Sequence, residues 1–233
     1  MTPTFVHGKS TRHLANGYDV SGWLKTVGAK ASAATAETST IGNLSKSFVP
    51  GLKDGTLTVD GYADGTAAGI NAQMATMLGA STVWTIVPNV DAVGTTGFAA
   101  TTIENDFEVS ADVGSAVTIK GTGQTTGGLD PVVVLHNLQA EAAGGNSAQV
   151  DNAVATSNGL RSYLHVTGVG TTVTVKTQHS VDGTTWVDLV THTAVTVANK
   201  AEMLSVAGTV NRYLRALWTE TGTATFHLAA ARL

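Results

Sequence analysis

Residues 170–192 read GTTVTVKTQHSVDGTTWVDLVTH, and this stretch decides the fold class. Between positions 173 and 176, valine alternates with threonine and lysine, the period of a half-buried β-strand. Asp182 and Gly183 tolerate the positive φ angles that a hairpin turn requires. An apolar face resumes at Trp186. The pattern predicts two antiparallel strands joined by a turn, and hence an antiparallel β-sandwich in the C-terminal part of the chain.

The composition favours a protein that is buried in an assembly or works outside cells. Hydrophobic residues make up 42% of the 233 residues, which is enough for a core. Charged residues make up only 13%, about half of the roughly 25% usual in globular proteins. Residues 1–135 hold seven Lys/Arg and eleven Asp/Glu, whereas residues 136–233 hold six of each. The net charge of −4 therefore belongs to the N-terminal part, and no basic patch for nucleic acid is present.

The sequence predicts neither catalysis nor a cofactor. There is no cysteine, no glycine-rich phosphate loop, no HExxH and no nucleophile elbow. The seven histidines are scattered and predict no metal site. No apolar run is long enough for a transmembrane helix. The N-terminal residues lack the apolar core of a signal peptide.

One helix and one long loop are predicted in the N-terminal part. In the helix, at about 66–79, apolar residues recur at i, i+4, i+7 and i+8 from Ile70. Asp64 or Thr66 is the expected N-cap, and Gly79 ends the helix. Residues 29–47 are small and polar without periodicity, which indicates a long loop.

Residues 101–113 combine an apolar set with an acidic set. The apolar set is Ile103, Phe107, Val109, Ala111 and Val113, and the acidic set is Glu104, Asp106, Glu108 and Asp112. If the segment is a strand, each set occupies one face, and the carboxylates repel one another. Two interpretations are open: an ordinary solvated face, or a surface that must stay negative.

Trp186 and Trp218 are candidates for a sugar-stacking platform on the C-terminal sandwich. The simpler interpretation places both in the core or at its rim, since Trp186 follows a hairpin and Trp218 lies on an alternating strand.

The N-terminal part resembles the tail tube (major tail) proteins of long-tailed bacteriophages. The resemblance rests on the order GYDVSGWL, the small-residue stretch at 29–47, DGTLTVDGY and the helix GINAQMATMLG. The C-terminal VTVKTQHSVDGTTWVDL and AGTVNRYLRALWT resemble β-sandwich domains that are appended to such proteins. The resemblance implies a mainly β fold: a tail-tube-like sandwich or barrel domain over 1–135, then a jelly-roll or immunoglobulin-like sandwich over 136–233. The boundary is expected within 130–150.

The resemblance also implies a function. Subunits would form hexameric rings that stack into a tube, assembled in the host cytoplasm and carried in the virion with other tail proteins. DNA would pass through the lumen without specific binding, and no membrane would be involved. Glu104, Asp106, Glu108 and Asp112 would face the lumen, where they repel phosphates. The loop would lock neighbouring rings; its candidate residues are Ala31, Thr35, Glu37, Thr40, Asn43 and Lys46.

Two other classes remain open. The chain could be a capsid decoration protein or another virion β-sandwich protein, which would share the composition but not the acidic lumen. It could also be a carbohydrate-binding protein that uses the C-terminal sandwich, with Trp186 and Trp218 as weak sugar contacts.

Overall fold

A computed structural model describes residues 7–67 and 69–233. The N-terminal residues 1–6, which enter the expectation about a signal peptide, lie outside the described residues, as does Ala68 of the predicted helix. The fold is mainly antiparallel β, as predicted. The strands are β1 (Arg12–Ala15), β2 (Tyr18–Asp19), β3 (Leu24–Glu37), β4 (Phe48–Tyr62), β5 (Ser81–Val87), β6 (Thr96–Ser110), β7 (Thr118–Glu141), β8 (Gly145–Asn146), β9 (Val150–Asp151), β10 (Leu160–Val169), β11 (Thr172–Ser180), β12 (Val187–Thr191), β13 (Lys200–Val206), β14 (Tyr213–Thr221) and β15 (Ala224–Arg232). The α-helix α1 spans Ile70–Met77.

The chain divides into two compact units that alternate along the sequence. Unit 1 comprises residues 1–23, 82–99 and 130–233, and unit 2 comprises 24–81 and 100–129. Strands β6 and β7 contribute residues to both units. This division differs from the two consecutive domains expected from the sequence, because the N-terminal strands β1, β2 and β5 belong to the same unit as the C-terminal strands.

Unit 1 is built from two layers of strands. One layer has the order β13-β10-β15-β7-β6-β5-β1-β2, and the other has the order β12-β11-β14-β8, with β9 also paired to β14. Alternate side chains of β11 and β14 pack against those of β10 and β15, and they include Val173, Val175 and Phe226. Gly183 has a φ of +74°, and the Asp182 carboxylate accepts hydrogen bonds from the backbone amides that follow it. The predicted hairpin is therefore confirmed, with Asp182 and Gly183 in its turn.

Unit 2 is a smaller sheet covered on one face by α1. Strand β3 pairs with β4, and β4 pairs with β7. The large buried apolar side chains of the sheet and the helix are Leu57, Val59, Ile70, Met74, Met77 and Ile119. The apolar periodicity correctly predicted the helix, but α1 is shorter at its start than expected. Its N-cap is Gly69 rather than Asp64 or Thr66, and Gly79 follows its end with a φ of +75°.

The prediction of a loop at 29–47 is wrong for its first half. Residues 29–37 belong to β3, and only 38–47 connect β3 to β4. The pairing Ser32↔Asp54, Ala36↔Val49 and Glu37↔Phe48 forms a long two-stranded ribbon. Because neither face of this ribbon is buried, its sequence has no reason to alternate between apolar and polar residues. Periodicity alone therefore gave no sign of the strand.

Candidate assembly surface

Among the described residues, the longest exposed stretch is the end of the β3–β4 hairpin, residues 32–54, which we call the arm. Every residue of the arm is exposed except the half-buried Ser39. Its connection is ordered by polar contacts: the Thr38 amide donates to the Ser47 carbonyl at 2.8 Å, and Lys46 Nζ lies 3.0 Å from Glu37 Oε2. The arm is thus a defined structure without a core of its own.

Five large apolar side chains are exposed on the arm. Ile41 and Leu44 in the connection have relative exposures of 108% and 107%, as high as in an extended chain. Phe48, Val49 and Leu52 on β4 are also exposed. So many large apolar side chains exposed along one short segment favour a surface that another molecule covers.

The residues proposed for the inter-ring loop all lie on or beside the arm. Ala31, Thr35 and Glu37 belong to β3, whereas the remaining three belong to the connection: Thr40, Asn43 and Lys46. All six are exposed. The structure pairs Glu37 with Lys46, and the Thr40 hydroxyl lies 3.2 Å from the Asn43 side-chain oxygen. Within the described part of the chain, β3 pairs with β4 alone, so its other edge is unpaired.

The acidic segment is divided by burial. Asp106, Glu108 and Asp112 are exposed, whereas Glu104 has no exposed surface. The interpretation that all four carboxylates share a solvated face is therefore wrong for Glu104. The set expected to be the inner, apolar face is partly outside, because Ile103, Val109 and Val113 are exposed. Alternation separated the two faces but did not indicate which one the helix covers.

Glu104 is buried beside β7 and α1. A Cβ placed on Gly121 would lie 3.3 Å from Glu104 Oε1 and 2.5 Å from the terminal methyl of Met74, so Glu104 and Met74 both lie close to the β7 backbone at this glycine. Neither carboxyl oxygen of Glu104 has a hydrogen-bond partner among the described residues. Burial raises the pKa of Glu104 to about 8, because the charged form would lose its hydration. Glu104 is therefore mostly neutral at pH 7 and does not contribute a negative surface.

The two tryptophans proposed as sugar contacts have different environments. Trp218 is buried, packs edge-on against the His136 and Phe226 rings, and donates from Nε1 to the Ala143 carbonyl at 3.2 Å. It is a core residue, so its assignment as a sugar contact is wrong. Trp186 is half-buried, and the Arg215 guanidinium lies 4.2 Å from the centre of its ring.

Unit 1 buries several histidines in its sheets. His165 accepts a hydrogen bond from the Gly17 amide at 3.2 Å and contacts the Thr85 hydroxyl at 2.9 Å. His13 is buried, and neither of its ring nitrogens has a hydrogen-bond partner among the residues that the structure describes; burial lowers its pKa to about 4. Burial also lowers the pKa of His165 far below its usual value. These side chains are neutral at pH 7 and belong to the interior.

Metal binding and membrane crossing are two properties that the sequence did not predict. Within residues 7–67 and 69–233, no group of three or more His, Cys, Asp or Glu side chains is arranged to hold a metal ion. The same residues include no helix of the length and apolar character required to cross a bilayer.

No protein-family model matches the sequence, and no curated protein matches it. Thirteen chains of solved structures match the fold. A chain of the virion of a native gene transfer agent particle is 8% identical, with a TM-score of 0.43, and the match covers 54% of this chain and 97% of that one. The SPP1 Dit protein, described as a hub of the adsorption apparatus in phages that infect Gram-positive hosts, is 12% identical, with a TM-score of 0.39 and coverages of 95% and 98%. A chain of the activated phage p2 baseplate is 8% identical, with a TM-score of 0.34 and coverages of 96% and 98%.

These matched structures are parts of phage tails, baseplates or gene transfer agent particles. At such identities and TM-scores, they do not identify the function of this chain, which has to be inferred from its own residues.

Proposed function

We propose that this chain is a structural subunit of a phage-type tail, and that unit 2 joins copies of it into hexameric rings stacked as a DNA-conducting tube. The exposed arm is the observation that carries the proposal. The subunit would be assembled in the host cytoplasm and would contact other tail proteins in the virion.

The arm has the properties of a segment that becomes covered on assembly. An isolated two-stranded hairpin is at best marginally stable in water. Covering an exposed side chain such as Ile41 or Leu44 contributes about 1.5–3 kcal/mol each, before the entropy of association is subtracted. The arm therefore supplies both the reach and the apolar surface needed to hold a neighbouring copy.

The free edge of β3 supports a contact between copies. An unpaired strand edge is a template for pairing with another chain. A contact that joins two different surfaces of the same subunit is heterologous, and it closes into a ring when the rotation between neighbours divides a full turn. The proposed ring uses the β3 edge within the ring and the arm between rings.

The charge of unit 2 suits a channel for DNA. Unit 2 contains five Lys/Arg and eight Asp/Glu, a net charge of −3, whereas unit 1 has a net charge of −1. Asp106, Glu108 and Asp112 are the exposed acidic candidates for the lumen. These carboxylates would repel the negatively charged DNA phosphates at short range, so DNA would pass without being held.

The test compares the full chain with a variant whose arm is removed. Residues 33–53 are replaced by Asn-Gly, which preserves the Ser32↔Asp54 pair and closes the shortened hairpin with a tight turn. Size-exclusion chromatography with light scattering and negative-stain electron microscopy are applied to both proteins after concentration. The full chain should form rings or tubes with a central channel, and the shortened chain should not form tubes.

A matched pair of surface variants makes the test specific. Ile41→Ser with Leu44→Ser removes two exposed apolar side chains from the arm, and Val181→Ser removes one from unit 1. Tube formation should be lost in the first variant and kept in the second. Tubes formed by the shortened chain would exclude the arm as the contact between rings. A full chain that stays monomeric even when mixed with preformed tail tips would contradict the proposed function.

A further inference from the structure

Two arginines near the start of β14 lie over aromatic rings but differ in their partners. Arg212 lies 4.9 Å from the centre of the Tyr213 ring, and Arg215 lies 4.2 Å from the centre of the Trp186 ring. Arg212 Nε and Nη2 donate to the two carboxylate oxygens of Asp151 at 2.6 and 2.5 Å. Arg215 Nε donates at 2.8 Å to the side-chain oxygen of Gln178, which is uncharged. Over the described ranges 7–67 and 69–233, Arg215 forms no ion pair with a carboxylate.

The lack of a paired carboxylate raises the energetic cost of the Arg215 charge, because this side chain is half-buried. Desolvation lowers the pKa of Arg215, whereas the hydrogen bonds that Arg212 donates to Asp151 raise the pKa of Arg212. A cation that has lost part of its hydration without gaining an anion is unfavourable, and an anion brought by a ligand would relieve this cost. Arg212 already has such an anion in Asp151, so Arg212 serves as a matched comparison for Arg215.

The side chains beside Arg215 are fixed before any ligand arrives. Gln178 Nε2 donates to Asp188 Oδ1 at 2.7 Å, and Lys176 Nζ donates to Asp188 Oδ2 at 2.6 Å. The row Lys176, Asp188, Gln178 and Arg215 therefore crosses β12, β11 and β14 as one connected network. The Trp186 ring stacks on the guanidinium group and restricts its plane. Such preorganisation lowers the entropy cost of binding.

The position of this row limits the class of ligand. Strand β11 is hydrogen-bonded to β12 on one side and to β14 on the other, so a ligand that lies over Gln178 and Arg215 meets no free backbone edge; the free edge on this side of the layer, among the described strands, belongs to β12. A ligand must instead be recognised by side chains. The terminal nitrogens of an arginine fit a carboxylate, and the amide and carboxylate groups of the row can exchange hydrogen bonds with hydroxyls.

We propose that this face of unit 1 binds a saccharide that carries a carboxylate, such as a uronic acid. The ligand carboxylate pairs with the Arg215 guanidinium, and ring hydroxyls contact Gln178 and Asp188. Lys176 neutralises Asp188, so the ligand meets no unpaired negative charge in this row. The site is independent of the arm and of ring formation.

The test uses two polymers with the same sugar backbone. Polygalacturonate and its methyl ester are immobilised, and binding of the full chain to each is measured on a biosensor surface at physiological ionic strength. The full chain should bind polygalacturonate at least about tenfold more tightly than the uncharged ester. Soluble galacturonate should compete more effectively than acetate at equal concentration, because acetate offers the carboxylate without the hydroxyls.

Three variants identify the residue that binds. Arg215→Gln should abolish the preference for the charged polymer, and Arg215→Lys should lose most of it, because lysine cannot form the two parallel hydrogen bonds. Arg212→Gln removes the same charge from the neighbouring site and should leave binding unchanged. Equal loss from Arg212→Gln and Arg215→Gln would show diffuse charge attraction and overturn the proposal. Equal binding of both polymers, or equal competition by acetate, would also overturn it.

Discussion

Unit 1 and unit 2 differ in how much of their chain is packed into a core and how much is left exposed. In unit 1, two layers enclose a continuous core, and Asp130 at its border contacts Arg161 Nη1 at 2.9 Å and accepts from the Tyr163 hydroxyl at 2.5 Å. In unit 2, a small helix-covered core carries a long exposed arm and a buried carboxyl without a hydrogen-bond partner among the described residues. The exposed arm is the feature that separates the two units, and it supports the proposal that unit 2 makes contacts with other copies of the chain.

The largest expected effect concerns Glu104, the buried carboxyl of unit 2, and would sharpen the comparison by testing the core of that unit. The pKa of Glu104 is raised from 4.5 to about 8 in the folded chain. The stability that its protonated carboxyl contributes is therefore fully present below pH 4.5 and is lost as pH rises through 8. Over this pH range, the free energy of unfolding should fall by an amount on the order of 4–5 kcal/mol. Glu104→Gln should remove this pH dependence and make unit 2 more stable at pH 9. Urea unfolding followed by far-UV circular dichroism measures it, because all four tryptophans lie in unit 1.

A control for Glu104 is available on the same strand. Glu108→Gln changes an exposed carboxylate of β6 and should leave the pH dependence of unfolding intact. If Glu104→Gln behaves like Glu108→Gln, the Glu104 carboxyl is solvated in solution, and the contrast between the units is smaller than the structure indicates.

The second effect concerns the core of unit 1. Phe226 is fully buried, stacks on the His136 ring at 4.1 Å between centres and contacts Trp218. Phe226→Ala should lower the free energy of unfolding by about 3–5 kcal/mol, through lost transfer energy and a cavity. Denaturant titration followed by tryptophan fluorescence measures this loss. Val187→Ala, at an exposed position of β12, should change it by less than about 0.5 kcal/mol.

The third effect is the acid sensitivity of unit 1. The pKa of His13 is lowered to about 4, below the usual 6.5, so the stability from its neutral form is full above pH 6.5 and is lost as pH falls towards 4. The free energy of unfolding that is lost over this pH range is on the order of 3 kcal/mol. His13→Phe keeps a ring against Trp84 and should flatten the decline in the thermal unfolding midpoint between these pH values. The exposed His7→Phe should not; equal curves for both variants would show that His13 does not drive the decline.

The smallest effect on stability is expected for the arm, where the effect on assembly is largest. Ile41→Ser with Leu44→Ser removes side chains that touch no core, so the free energy of unfolding of the monomer should change by less than about 0.5 kcal/mol. The same variant should fail to assemble. A clear loss of monomer stability, measured by denaturant titration, would show that the arm packs on its own subunit in solution.

The sequence predicted the parts of the fold in which one face is buried. The alternation at 173–176 and the Asp182-Gly183 turn identified β11 and its hairpin, since the valines enter the core. The arm was not predicted as strands because it has no buried face and hence no period. The burial of Glu104 was missed for a related reason: alternation defines two faces, but only the position of α1 determines which of them is interior.

The division into units also lies beyond local sequence patterns. Strands β1 and β5 pair with each other, as Arg12↔Val87 and Ala15↔Trp84, although more than sixty residues separate them. No spacing or composition marks such a pairing in advance. The Arg215 site could have been suspected only from the proximity of arginine and aromatic residues near 212–218, because the absence of a partner carboxylate is a property of the folded chain.

The central claim is that the arm is covered by another copy of this chain in the assembled state. Hydrogen–deuterium exchange with mass spectrometry, applied to the same preparation before and after assembly, tests it most directly. Peptides from residues 32–54 should exchange fast in the monomer and become protected in rings or tubes, whereas peptides from β11 and β14 should keep the same protection in both. Assembled particles in which the arm exchanges as fast as in the monomer would contradict the claim.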